Sequence, residues 1–252
     1  MKKIIVLLVI IVFPFMVLAK DVEVKDINIK FQVNDDYIVL LRDNLENNMD
    51  LKKLGISENY MKNIMDKSNI YADIISSDIS HEIIIVVPDV KLTFYNLSDA
   101  TDDMLNDLKN ELVKKTGAEI SSIYKGNHNY IIVDYYDDNT DYYIVNYYTV
   151  VNAKGYNIQL QKKSTITDEE KEELKKVVDS ISIDIINDNK NGLNIKHIII
   201  GAAIGAGVGL ISYILSLVIK KGKLKGDTRI IDKKKVLKTE DNIQEKNTKS
   251  SG

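Results

Sequence analysis

Hydrophobic and polar residues change their spacing several times along the chain. Val22, Val24, Ile27, Ile29, Phe31 and Val33 recur with a period of two, which predicts one or two strands. Residues 37–41 are a short apolar run and predict another. From 47 to 66 the spacing lengthens to the helical period at Leu51, Leu54, Met61, Ile64 and Met65. Gly55 breaks that pattern and Ser57 restarts it as an N-cap, so two short helices are expected. Residues 70–76 and 82–87 predict a hairpin, with its turn at 77–80 and Pro88 as its end. Ser98 is expected to open the next helix. Asp99, Asp102 and Asp103 suit the positive end of its dipole. Met104, Leu105, Leu108, Leu112 and Val113 form its apolar stripe, and Gly117 stops it.

Strands are then expected at 120–124, 130–136, 142–151 and 156–161. The last two are separated by Ala153-Lys154-Gly155, where Gly155 is expected to take a positive φ. Thr167 and Glu170 make a capping box for a last helix that turns Leu174, Val177, Val178 and Ile181 inward. Helices set apart from hairpins and a meander define an α+β fold, an antiparallel sheet covered by helices. Residues 20–186 suit one such domain.

Two segments do not belong to that pattern. Lys2 and Lys3 precede an uncharged apolar run from Ile4 to Leu18, and Val17-Leu18-Ala19 supplies small residues for cleavage after Ala19. This is the layout of a secretory signal peptide over residues 1–19. Residues 198–219, IIIGAAIGAGVGLISYILSLVI, carry no charge. At about 1.5 Å per residue they would reach roughly 33 Å, the thickness of a bilayer's hydrocarbon core. A polar linker, 187–197, precedes them, and Lys220, Lys221, Lys223 and Lys225 follow. Basic residues after a span stay in the cytoplasm, so the domain is expected outside the cell and the tail, 220–252, inside. Gly201, Gly205 and Gly209 lie four apart, and Ser212 and Ser216 extend the same face. Small residues let helix backbones approach, so a homodimer or a membrane-protein partner is expected on that face.

Charge follows the same division. Residues 20–196 hold 32 acidic and 21 basic residues, whereas 220–252 hold 11 basic and 5 acidic. A juxtamembrane basic tail is drawn to anionic lipid by about 1 kcal/mol per lysine. No folded surface organises that charge, so nucleic acid is not an expected partner. The chain has no cysteine, which excludes disulfides, thiol nucleophiles and thiolate metal sites.

Candidate chemistry is sparse. The stretch 134–150 holds six tyrosines and four aspartates. Asp137, Asn139 and Asp141 match the start of an EF-hand loop, but Tyr142 and Tyr148 stand where glycine and the bidentate glutamate belong. A hairpin tip is the preferred reading, with a weak surface calcium site as the alternative. In 142–151 both alternating faces are largely apolar, which predicts a central strand covered on both sides rather than an open aromatic platform. His81 and His128 have no metal-ligand spacing, and no G-x-S-x-G elbow is present. No cofactor and no catalytic residue are assigned. The competing expectation is an exported hydrolase-like enzyme that uses surface carboxylates.

Through Tyr37-Ile-Val-Leu-Leu-Arg-Asp-Asn-Leu and Tyr147-Tyr-Thr-Val-Val-Asn-Ala-Lys-Gly-Tyr-Asn-Ile, the chain resembles exported, membrane-anchored domains of Gram-positive bacteria with a PsbP/Mog1-like α/β/α sandwich. The resemblance spans roughly residues 22–186 and speaks to fold, not chemistry. It implies a partner-binding, non-enzymatic role, and it carries no functional residue across.

Overall fold

The computed structural model describes residues 19–185, other than 47, 90, 91, 93 and 94. The expected signal segment, the linker and the 198–219 span lie outside the described residues. So do Gly201, Gly205, Gly209, Ser212, Ser216 and the lysines at 220, 221, 223 and 225. Among the described residues no helix is long and apolar enough to cross a membrane.

The first two strands, β1 (Ala19–Val24) and β2 (Ile29–Asn34), pair antiparallel across a 3-10 turn in which Asn28 takes φ 52°. Next come β3 (Ile38–Leu41), helices α1 (Met49–Leu54) and α2 (Glu58–Ser68), and the hairpin β4 (Ile70–Ile75) and β5 (Glu82–Val86). Helix α3 (Asp102–Thr116) leads into the meander β6 (Ile120–Lys125), β7 (Asn129–Asp137), β8 (Tyr142–Val151) and β9 (Lys154–Lys162). Helix α4 (Asp168–Ser180) and a short β10 (Ser182–Ile183) close the described chain. Seven strands form one antiparallel sheet in the order β3-β4-β5-β9-β8-β7-β6. The fold is α+β, as expected.

Local signals explain the helices. Asn48 accepts hydrogen bonds from the N–H groups of Asp50 and Leu51, and Ser57 accepts one from Tyr60, so α1 and α2 are capped separately. Gly55 and Gly117 take φ of 70° and end α1 and α3. Thr167 and Glu170 exchange hydrogen bonds as a capping box at α4.

Three expectations need correction. Thr101, not Ser98, caps α3, because its hydroxyl lies three residues before the Met104 N–H it accepts from. Ser98 sits in a separate 3-10 turn, and its hydroxyl accepts the Asn129 N–H instead. The β8–β9 turn is made by Asn152 and Ala153, with φ of 54° and 59°, while Gly155 lies inside β9 without a positive φ. Gly155 is needed for space: a Cβ there would stand 3.1 Å from the Tyr148 hydroxyl and 3.2 Å from its Cε2. Finally, β1 and β2 do not join the main sheet. With β10 they form a three-stranded sheet of their own, β10 pairing Ile183 with Ile29.

The small sheet and α4 cover one face of the large sheet. Val24, Ile29, Phe31, Leu174, Val178 and Ile181 meet Ile74, Ile83, Ile85, Ile158 and Leu160 there. Helices α1, α2 and α3 lie on the other face, and that face is not uniformly apolar.

Candidate functional site: a polar strip between two helical walls

Alternate residues of a strand point to one face, so pairing tells which side chains share it. On the face toward α2 and α3, β4 presents Asp73, β5 presents Glu82, β9 presents Asn157, Gln159 and Gln161, and β8 presents Asn146. Gln159 stands opposite Ile84 on one side and Asn146 on the other, while Gln161 stands opposite Glu82. All six side chains are at most 1% exposed.

Apolar clusters border this strip. On one side, Met61 and Met65 of α2 pack with Leu40, Ile75, Ile84 and Val86. On the other, Leu105, Leu108 and Leu112 of α3 pack with Ile131, Val133, Ile144 and Tyr148. Helix α2 lies on β4 and α3 on β6 and β7. Strands β4 and β7 are four places apart in the sheet, about 19 Å at roughly 4.8 Å per step, whereas packed helices sit about 8–10 Å apart. The two helices therefore flank β9 rather than meet above it.

Inside the strip, Gln161 Nε2 donates to Glu82 Oε1, and Asn146 Nδ2 donates to Asn157 Oδ1 at 3.0 Å. Asn146 Oδ1, Asn157 Nδ2 and both amide atoms of Gln159 have no hydrogen-bond partner among the described residues. That leaves two neutral donors and two neutral acceptors in a buried site that also holds the Asp73 and Glu82 side chains.

A second polar cluster lies at the opposite face, where β5 begins. His81 is 5% exposed. Its Nδ1 is 3.1 Å from Ser80 Oγ and 3.4 Å from Glu170 Oε1. Its Nε2 is 3.2 Å from the Tyr37 hydroxyl and 3.3 Å from Glu173 Oε2. Tyr37 donates to Glu173 at 2.5 Å, and Lys162 donates to Glu170 at 2.6 Å. Burial first, then the hydrogen bond to Glu173, pushes the Tyr37 hydroxyl well above the usual phenol range. Burial pushes the Glu170 carboxyl up, but Lys162, the Thr167 N–H and His81 together hold it below its ordinary value. Both histidine nitrogens face α4, so the cluster fastens the first turns of that helix to β5 and β9. No group of three metal-ligating side chains occurs among the described residues.

The tyrosine-rich stretch is the β7–β8 hairpin. Asp137 Oδ1 accepts from the Asn139 N–H and side-chain amide, and Oδ2 accepts from the Thr140 hydroxyl. Asp141 takes φ 62° and accepts the Tyr136 hydroxyl at 2.5 Å. The carboxylates at the tip thus serve the turn. Strand β8 is covered on both faces, as expected: Tyr142, Tyr147 and Tyr148 are buried, and of the six tyrosines in the stretch Tyr136 is the exposed one, at 43%.

No family model matches the chain, and no curated protein matches it. Among solved structures, the chain is similar to cyanobacterial PsbP (CyanoP) from Synechocystis, with 9% identity and a TM-score of 0.38, over 68% of this chain and 95% of that one. It is also similar to a protein from Bacteroides thetaiotaomicron, with 9% identity and a TM-score of 0.35, over 65% of this chain and 47% of that one.

Proposed function

We propose that the chain is a single-pass surface protein whose exported α+β domain binds a ligand or partner along the polar strip, without catalysis. In this reading residues 1–19 direct export, 198–219 span the membrane and 220–252 remain in the cytoplasm. The domain is of the PsbP/Mog1-like sandwich type, and Gly201, Gly205 and Gly209 bring two spans together. The basic n-region and the lysines after the span support the orientation independently of each other.

The Gln159 amide carries the binding part. A buried amide without partners costs about 1–3 kcal/mol for each unmade hydrogen bond. Folding alone gives no reason to keep such a side chain at the centre of a sheet, and departures of this kind collect at functional sites. Protease added to intact cells tests the topology. The expected result is loss of the domain with a membrane-bound remnant containing 198–252. A domain left intact on cells whose membranes still hold the protein would reject the surface reading.

A further inference from the structure

Strand β6 ends the seven-stranded sheet, and among the described residues no strand pairs with its outer side. Such edges are usually blunted by proline, a bulge or inward-pointing charge. Here the register to β7 runs without interruption from Ile120 to Lys125, and the strand contains no proline. Ile120 is 61% exposed, Ser122 is exposed and Tyr124 is half-buried, all on one face.

We propose that β6 pairs antiparallel with β6 of a second copy of this chain, about a two-fold axis at Ser122. In that register Ser122 meets the partner's Ser122, and Ile120 meets the partner's Tyr124. The exposed isoleucine is covered by an aromatic ring on the same face. One residue further out, Glu119 meets the partner's Lys125, and the symmetry repeats that pair at the other end. Lys125 already holds Asp102 at 2.7 Å, which keeps its ammonium at the strand end where the second acid arrives. A one-residue slip would put the two sheets' faces on opposite sides. A two-residue slip would set Ser122 against Ile120 or Tyr124 and lose both charge pairs. Face, apolar and charge complementarity therefore select one register.

A six-residue edge buries less than the roughly 1,200 Å² of a stable soluble interface. The pairing gains its strength from two copies held in one membrane, and to that extent it rests on the proposed topology.

The chain's lack of cysteine makes the test direct. Ser122→Cys and Ser121→Cys are placed singly in the full chain, and isolated membranes are oxidised with copper–phenanthroline. Directly opposite residues have Cα atoms about 4.5–5.5 Å apart, within disulfide reach, whereas two copies of position 121 would lie roughly 8 Å apart. Ser122→Cys is expected to give a disulfide-linked dimer and Ser121→Cys none. Adding Glu119→Lys to Ser122→Cys sets lysine against lysine and is expected to lower dimer yield about tenfold. Adding Lys125→Glu as well restores it. No dimer at 122, equal dimers at 121 and 122, a product joined to another protein, or indifference to Glu119→Lys would each overturn the pairing. Because oxidation is done on isolated membranes, these outcomes are independent of which side the domain occupies, and the protease experiment reports that separately.

Discussion

Gln159→Met separates a binding strip from an ordinary core. Methionine keeps the unbranched shape of glutamine and discards both amide groups. Gln159 is 0% exposed, and neither Oε1 nor Nε2 has a partner among the described residues. Two unmade hydrogen bonds at about 1–3 kcal/mol each give a gross penalty of about 2–6 kcal/mol. Repacking of the thioether against Ile84 and Asn146 recovers only part of it, so a gain of about 2–4 kcal/mol is expected. For a domain of this size that raises Tm by about 6–12 °C. Calorimetry or urea unfolding of the full chain in detergent reads the change. Asn146→Leu is the internal contrast, because it deprives Asn157 Oδ1 of its 3.0 Å donor. Alone it is expected to destabilise; with Asn157→Leu the loss is recovered, a coupling of about 1–3 kcal/mol. If Gln159→Met lowers Tm, the amide is hydrogen-bonded in the folded protein. The strip is then internal scaffolding, and the binding proposal loses its support.

Two further outcomes follow from packing and ionisation. Gly155→Ala is expected to cost about 1–3 kcal/mol by crowding Tyr148, and less when combined with Tyr148→Phe, which removes the hydroxyl 3.1 Å from the new methyl; additive losses in urea midpoints would refute that contact. Burial raises the pKa of Tyr130, Tyr135, Tyr147, Tyr148 and Tyr156, to about 12 at Tyr147 and Tyr156. Their contribution is intact below about pH 10, where folded and unfolded chains both keep the phenolic protons. Above it the unfolded chain loses protons that the fold retains, so stability falls by about 7 kcal/mol per pH unit for five such groups. Phenolate absorbance and loss of circular dichroism should therefore rise together before pH 12; a smooth phenolate titration of the folded chain would contradict the burial.

Features decided within a few residues were legible in the sequence. Ser57, Gly55, Gly117 and the Thr167–Glu170 box act through hydrogen bonds or φ values inside one helical turn, and each marks the boundary it was expected to mark. Ser98 and Thr101 show where that logic fails. Both precede aspartates, and the choice between them depended on Asn129, thirty-one residues away, drawing the Ser98 hydroxyl. The small sheet was hidden for a similar reason: β10 is two residues long and finds β2 only in three dimensions. Asn157-Ile-Gln-Leu-Gln161 alternates like a strand with one wet face, yet both faces are buried. Its signal was the choice of amides over lysine or glutamate, which suits a site closed to water but still able to hydrogen-bond. His81 gave no signal, since Tyr37, Ser80, Lys162, Glu170 and Glu173 come from separate parts of the chain.

The two faces of the large sheet differ in what they bury. Against the small sheet and α4, fully buried isoleucines, leucines and valines contribute about 1.5–3 kcal/mol each. The His81 cluster anchors α4 over them. The opposite face has such cores only at its margins, under α2 and α3. Its centre spends buried area on amides that weaken the fold wherever they lack partners. A sheet needs no such concession to stay folded when one face and both margins are already apolar. In the proposed reading, those amides are kept for a ligand that approaches β9 between the two helices. An occupant that supplied the four missing hydrogen bonds would turn a local penalty into affinity without any change in the scaffold.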